Sequence, residues 1–188
     1  VPGLPPKAVG AIVARADGIP LYAVETVRML LADGRLTLAE GRYAPVGDLA
    51  ELAIPDTLTA LIASRLDGLP PDERSLVHDA AVLGQSFTAA GRTAVSGVAE
   101  PELGVRIRSL VRKEILAPGD ARSPERHEHM FVQGLIREVA YHQLARADRK
   151  SRHLAAARFF ESLGSDELAG AVASHYLAAR RDVADGPE

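Results

Sequence analysis

The sequence predicts a mainly α-helical protein carrying one or two small strand hairpins, and three observations support that class. Apolar residues recur at intervals of three and four along most of the chain, which gathers them on one face of each helix and gives that face something to bury. Gly and Pro punctuate these stretches, at Asp17-Gly18, Asp33-Gly34, Gly68, Pro70-Pro71, Gly84, Gly97 and Gly164. Glycine there admits the left-handed residue that ends a helix, and proline lacks the N–H needed to continue one. Strand-like alternation is confined to residues 35–46 and 115–132.

Behind the Pro-rich opening Val1-Pro2-Gly3-Leu4-Pro5-Pro6, residues 8–16 read as a helix stopped by Asp17-Gly18. Pro20 starts the next, because its missing N–H is one that a first turn leaves unbonded anyway. Leu21, Val24, Val27, Leu30 and Leu31 set the predicted buried face, and Asp33-Gly34 ends the helix. Arg35 to Val46 alternates loosely about Glu40-Gly41, as in a short hairpin or an irregular excursion. Pro55-Asp56 opens a further helix striped by Leu58, Leu61, Ile62 and Leu66, and a domain boundary is placed near Pro70-Pro71. Beyond it, helices are predicted over residues 72–83, 88–95 and 101–113, the last carrying Leu103, Ile107, Leu110 and Val111. Short strands at residues 115–117 and 129–132 flank a polar loop with Pro118-Gly119-Asp120 and Ser123-Pro124. Three helices followed by a hairpin is the order of a winged helix, the hairpin being its wing. Leu135, Ile136, Val139, Ala140 and Leu144 continue as an amphipathic helix. Two more follow from about Asp148, through Leu154, Phe159, Phe160 and Leu163 and then through Leu168, Val172 and Tyr176. With Ala155, Ala169 and Ala173 at close-packing positions, this pair has the form of one unit of a helical-repeat array.

Bulk properties narrow the function classes. A hydrophobic fraction of 47% with 25% charged residues, in 188 residues, is the composition of a folded soluble chain of one ordinary domain or two small ones. Apolar runs such as Ala60-Leu61-Ile62-Ala63 fall far short of the roughly 20 residues that span a bilayer, so no membrane partner is expected. The chain starts without Met and without a basic and apolar leader, which reads as an excised fragment with the cytoplasm as expected compartment. Absence of cysteine fits that reducing compartment. A net charge of -3 gives no overall pull toward nucleic acid, and 4% aromatic residues with no Trp offer few stacking platforms.

Three motifs in a fixed order carry a resemblance to a known family. Gly18-Ile19-Pro20-Leu21-Tyr22 leads into one helix, and Ile54-Pro55-Asp56-Thr57-Leu58 leads into Leu61-Ile62-Ala63-Ser64-Arg65-Leu66-Asp67. Leu135-Ile136-Arg137-Glu138-Val139-Ala140-Tyr141 follows the wing. Together they resemble the region downstream of the P-loop core in STAND-type AAA ATPases, above all those fused to bacterial class III adenylate cyclase domains or LuxR-type regulators. The resemblance covers nearly the whole chain. It implies a helical lid over residues 1–69, a winged-helix domain over 70–146 and the start of a tetratricopeptide-like segment over 147–188.

The resemblance also implies a cofactor-binding set of Gly18, Pro20 and Gln133. Gly18 and Pro20 match a Gly-x-Pro motif whose proline lies against the adenine ring of ATP or ADP. A rigid apolar ring at a helix N-terminus, which tolerates nearby negative charge, suits that task. Gln133 stands where the family carries a histidine that reaches the ADP phosphates, and Val132 where cyclase-linked relatives tend to carry arginine. Glutamine donates a neutral hydrogen bond but brings no positive charge. Read without the resemblance, Gly18 ends one helix, Pro20 starts the next and Gln133 caps another. No Gly-x-x-x-x-Gly-Lys-[Ser/Thr] loop and no apolar strand ending in paired carboxylates occurs, so no catalytic residue is assigned. The nucleotide is expected on an upstream P-loop NTPase domain of the same protein, with no metal held by this chain and with protein partners on the helical repeats.

Other candidates have plainer readings. His127 and His129 sit at strand spacing, but no third ligand matches them, and polar wing residues are expected. His78, His142, His153 and His175 are expected to be solvated or hydrogen-bonded. Arg106, Arg108, Arg112 and Lys113 cluster on the third helix of the winged-helix order, where a DNA reader puts its major-groove contacts, so a DNA-binding regulator is the alternative function. Against it, Leu103, Ile107 and Leu110 claim the core face, and Glu102 and Glu114 dilute the charge. Arg146, Arg149, Lys150 and Arg152 read as a solvated helix face.

Overall fold

The structure, a computed structural model, describes residues 3–39, 41–46, 55–119 and 128–184, and within them the chain is mainly helical. It divides into two compact units, Val1–Leu69 and Pro70–Glu188, the break falling just before Pro70-Pro71.

In the first unit α1 (Pro6–Ala16) and α2 (Pro20–Ala32) precede an antiparallel hairpin of β1 (Leu36–Ala39) and β2 (Arg42–Pro45), and α3 (Leu58–Asp67) follows. Proline occupies the first turn of both α1 and α2. Gly34, at φ 66°, closes α2: its amide donates to the Leu31 carbonyl and the Arg35 amide to that of Leu30. Thr57 is extended and accepts from the Ala60 amide at 3.1 Å, so α3 starts after this cap rather than at Pro55-Asp56. The core gathers Ile12, Ala16, Tyr22, Val27, Met29, Leu30, Leu36 and Leu61. The buried face of α2 departs from the predicted one. Val24 is 45% exposed, whereas Glu25 and Thr26 are buried. Tyr22, whose ring offers the most apolar area on this helix, takes the inward position, and its hydroxyl donates to the Pro55 carbonyl at 2.6 Å.

The second unit runs α4 (Pro71–Leu83), β3 (Ser86–Phe87), α5 (Ala89–Ser96), α6 (Glu100–Arg112), β4 (Leu116–Pro118), β5 (His129–Phe131), α7 (Gly134–Gln143), α8 (Arg146–Ser162), a 3-10 turn at Asp166–Leu168, and α9 (Ala169–Ala184). The strands make one antiparallel sheet of order β3-β5-β4, with Phe87 opposite His129 and Leu116 opposite Phe131. Strand β3 is an addition to the expected hairpin, too short to show a period-2 pattern in the sequence. Most of the loop between β4 and β5, with Asp120, Ser123, Pro124 and His127, lies outside the described residues, as do Glu40 and Ile54. Leu76, Val77, Ala80, Leu103, Ile107, Leu110, Leu116, Phe131 and Ile136 are buried in this unit.

Helices α8 and α9 pack along one another, and α8 also packs against α4 and α5. Residues 147–188 fall in the same compact unit as residues 70–146. Val82, Leu144 and Ala156 form one buried cluster, with Tyr141 and Phe160 against it. Leu163 is 53% exposed, and the buried small residues of the helix pair are Ala156, Ala157 and Ala179. Ala169 and Ala173 face outward. His153 and His175 take the inward positions instead.

Candidate functional site

Asp17 (φ 43°) and Gly18 (φ 78°) are successive left-handed residues between α1 and α2. That conformation costs a residue with a β-carbon about 1–2 kcal/mol, a cost glycine avoids. A Cβ on Gly18 would meet nothing within 4 Å, so the dihedral alone selects glycine here. The Ile19 amide donates to the Ala16 carbonyl at 2.7 Å, and Pro20 is the first residue of α2. No side chain caps this helix start; Ile19 is 51% exposed and Pro20 is exposed beside it. Two apolar side chains therefore stand in front of a helix N-terminus that carries partial positive charge.

The tip rests on a rigid base. Glu25, with its side chain wholly buried, accepts from Arg28 Nη1 and from Arg65 Nη1, each at 2.7 Å. The Arg65 bond ties α3 to α2, the Arg28 bond holds the carboxylate from within α2, and the Tyr22 hydroxyl adds the tie to Pro55. The first two sequence motifs are thereby joined within one unit. Sequence reasoning missed Glu25 and Arg65. Their signal was a charged residue in phase with an apolar stripe, Glu25 among Tyr22 and Met29, Arg65 among Leu61 and Ile62.

Gln133 belongs to the second unit. It occupies the N-cap position of α7 in extended conformation (φ −144°, ψ 140°), yet its side chain makes no capping bond. The expectation that it caps the helix is corrected: its carbonyl accepts from the Ile136 amide, but its side chain does not reach as a shorter Asn or Ser would. Its Oε1 is buried with no partner among the described residues. Arg137, from the third motif, donates Nε to the Ala81 carbonyl at 3.0 Å, in the last turn of α4 where a helix leaves its carbonyls unbonded. Ile136, Val139 and Ala140 are buried, so this motif fastens α7 to α4.

A polar seam that the sequence did not reveal lines the contacts of α8. Arg152 Nε donates to Asp79 Oδ1 at 2.7 Å, and burial holds the Asp79 carboxyl above its ordinary value even against that guanidinium. The Tyr141 hydroxyl lies 2.8 Å from His153 Nε2, and His153 Nδ1 lies 2.8 Å from His175 Nδ1. Phe160 stacks on His175 at 5.4 Å between centroids, and Arg149 lies over the Tyr141 ring at 5.3 Å. Burial, then the Arg137 charge, lowers the His175 pKa. Burial likewise lowers His78, opposed by a hydrogen bond with Gln143, whereas His142 is exposed and bonds to the Glu138 carbonyl. The basic run on α8 is thus partly folded inward rather than simply solvated.

The basic cluster on α6 is also partly engaged. Arg106 reaches Asp72 at 3.3 Å and Glu102 at 3.8 Å, and Lys113 reaches Glu73 at 2.6 Å, while Arg108 and Arg112 are exposed. Half-buried His129 stacks on Phe87 at 6.2 Å, and its pKa is lowered by burial and then by Arg92. Arg92 is 2% exposed, with Nε and Nη1 unpartnered among the described residues. No group of three or more His, Cys, Asp or Glu suited to a metal occurs among the described residues. No helix there is long and apolar enough to cross a membrane. Compared with protein-family models, with curated proteins and with solved structures, the chain finds no match.

Proposed function

We propose that this chain is the nucleotide-sensing segment of a larger cytoplasmic signalling ATPase, adenylate cyclase-linked or LuxR-type. In this reading residues 1–69 are a helical lid, 70–146 a winged helix and 147–188 the start of a tetratricopeptide-like helical repeat segment. The observation that carries it is the exposed, uncapped Gly18-Ile19-Pro20 start of α2, braced by the buried Glu25 clamp. Pro20 offers a rigid apolar face to an adenine ring, and the positive end of the α2 dipole favours a negatively charged neighbour. ATP or ADP is bound by an upstream P-loop domain of the same protein, and the lid contacts one nucleotide state more than the other, shifting the population of arrangements.

Gln133 stands where the resemblance implies a cationic histidine, so it offers a nucleotide phosphate a neutral hydrogen bond and no positive charge. Exposed Leu163 (53%), Tyr176 (38%) and Leu177 (56%) on the α8–α9 pair give protein partners an apolar surface. DNA binding is the weaker reading, because Arg106 and Lys113 are committed to carboxylates. The test is chromatography of the nucleotide released from purified full-length protein, unaltered and Pro20→Ala. Retained ADP or ATP that drops in the variant, with circular dichroism unchanged, supports the lid. Equal retention makes Pro20 a helix start only and removes the proposal's main support.

A further inference from the structure

The Tyr141–His153–His175 chain has no part in the nucleotide reading, and it sits where α9 meets the rest of its unit. His153 and His175 are 6% and 9% exposed, and their Nδ1 atoms are 2.8 Å apart. That separation holds a single hydrogen, one ring donating and the other accepting. With both rings neutral, every contact is satisfied in either of two ways. His153 Nδ1 donates to His175 while Tyr141 donates to His153 Nε2, or both polarities reverse. One added proton puts a cation in this seam. Two protons place hydrogens on both Nδ1 atoms, and the contact cannot form.

We infer that the His153–His175 contact is an acid-released latch, closed near neutral pH, that lets α9 come away from α8 as the medium turns mildly acidic. Few side chains of α9 are deeply packed: among those described only His175 and Ala179 are buried, Phe160 of α8 stacks on His175, and the exposed Tyr176 hydroxyl donates to Glu161 of α8. Weakly buried helices open locally before the whole domain does. The surrounding charges discourage an imidazolium. From α7, Arg137 bears on His175 and also lies 5.9 Å from the centre of the Tyr141 ring, which meets His142 edge-on. From α8, Arg149 covers the same Tyr141 ring, and Arg152, next to His153, is held by Asp79 of α4. On α4, His78 is itself depressed by burial; on α5, Arg92 bears on His129; and Glu161 is turned outward to the Tyr176 hydroxyl.

The sign follows directly. The closed form binds fewer protons than the open one, so the latch is complete above the ordinary histidine value of about 6.5 and weakens as pH falls below it. Each proton excluded from the closed form multiplies the open population about tenfold between pH 7.5 and 5.5, hence about 10- to 100-fold for the pair.

Hydrogen exchange of the 188-residue chain at about pH 7.5 and 5.5, corrected for intrinsic rates, tests this. Protection across α9 is expected to fall by that factor, while α4 and α6 change far less. His175→Asn places a non-titrating polar group at the Nδ1 position and removes one of the two titrating rings, so the pH-dependent fall in α9 protection is expected to shrink by about tenfold. Loss of protection in the variant matching that of the unaltered chain overturns the latch, as does an unaltered chain whose α9 shows no selective loss. If His175→Asn does not fold, imidazole NMR of the unaltered chain decides. Linked titration of both rings in step with α9 amide shifts supports the latch, and independent titration of each near 6.5 with α9 unchanged overturns it.

Discussion

Replacing Glu25 by alanine removes the carboxylate on which two guanidinium groups converge. Its side chain has no exposure, that of Arg65 has 6%, and both bonds are 2.7 Å long. Taking one partner from a buried ion pair costs about 3–5 kcal/mol, mostly because the remaining charge stays desolvated. A domain of this size has roughly 3–10 kcal/mol in total, at 0.05–0.15 kcal/mol per residue. Glu25→Ala is therefore expected to consume from about a third to all of the first unit's stability. Hydrogen exchange of α2 and α3 reads the loss as an opening population raised by roughly two to three and a half orders of magnitude, at about 1.4 kcal/mol per tenfold. The double substitution Glu25→Leu with Arg65→Met fills the same space without charge and is expected to return within about 1–2 kcal/mol of the unaltered chain. Arg28, already 19% exposed, can turn to solvent. A single substitution costing under about 1 kcal/mol, or a double one no better than the single, refutes the clamp.

Three further outcomes follow from other contacts. Arg152→Ala strands the buried Asp79 carboxylate and is expected to cost about 2–4 kcal/mol, whereas Asp79→Asn, leaving a neutral amide beside a partly exposed guanidinium, costs about 1 kcal/mol; urea midpoints in the reverse order contradict this. Gly34→Ala meets no neighbour but must hold φ 66°, so about 1 kcal/mol is lost to the dihedral alone, and an unchanged melting temperature contradicts it. Denaturant midpoints of the second unit are expected to fall below about pH 6.5, since the depressed histidines His78, His129 and His175 bind fewer protons folded than unfolded. Asp79, raised above 3.8, acts in the opposite sense: its cost, full above its folded value, is relieved as it protonates at lower pH. A flat profile between about pH 7.5 and 5.5 contradicts the assignment.

Helices whose buried stripe is wholly apolar were the most legible part of the fold. Leu103, Ile107 and Leu110 on α6 are buried as their spacing indicates, and Gly97 and Gly34 fall where left-handed backbone ends α5 and α2. Helices with a polar residue in the stripe were misjudged in their facing. Glu25 turned α2 away from Val24, and His153 and His175 displaced the expected apolar and small residues of α8 and α9. Pattern reading assigns polar side chains to solvent, so a satisfied buried one appears in sequence only as an interruption. The site followed the same rule. The exposed Gly18-Ile19-Pro20 tip is local and readable, whereas its brace depends on residues 40 positions apart. Gln133 was legible as a helix start, but not that its side-chain oxygen would be left buried with no partner among the described residues.

Hydrogen exchange at residues 18–22 of the full-length protein, loaded with ADP or with a non-hydrolysed ATP analogue, tests nucleotide sensing most directly. Coupling of about 1–3 kcal/mol between nucleotide state and lid position predicts amides of Ile19, Leu21 and Tyr22 protected roughly 5- to 150-fold more in one state than in the other. Identical exchange in both states, with nucleotide shown to be bound, contradicts the account and leaves this tip as a plain helix start.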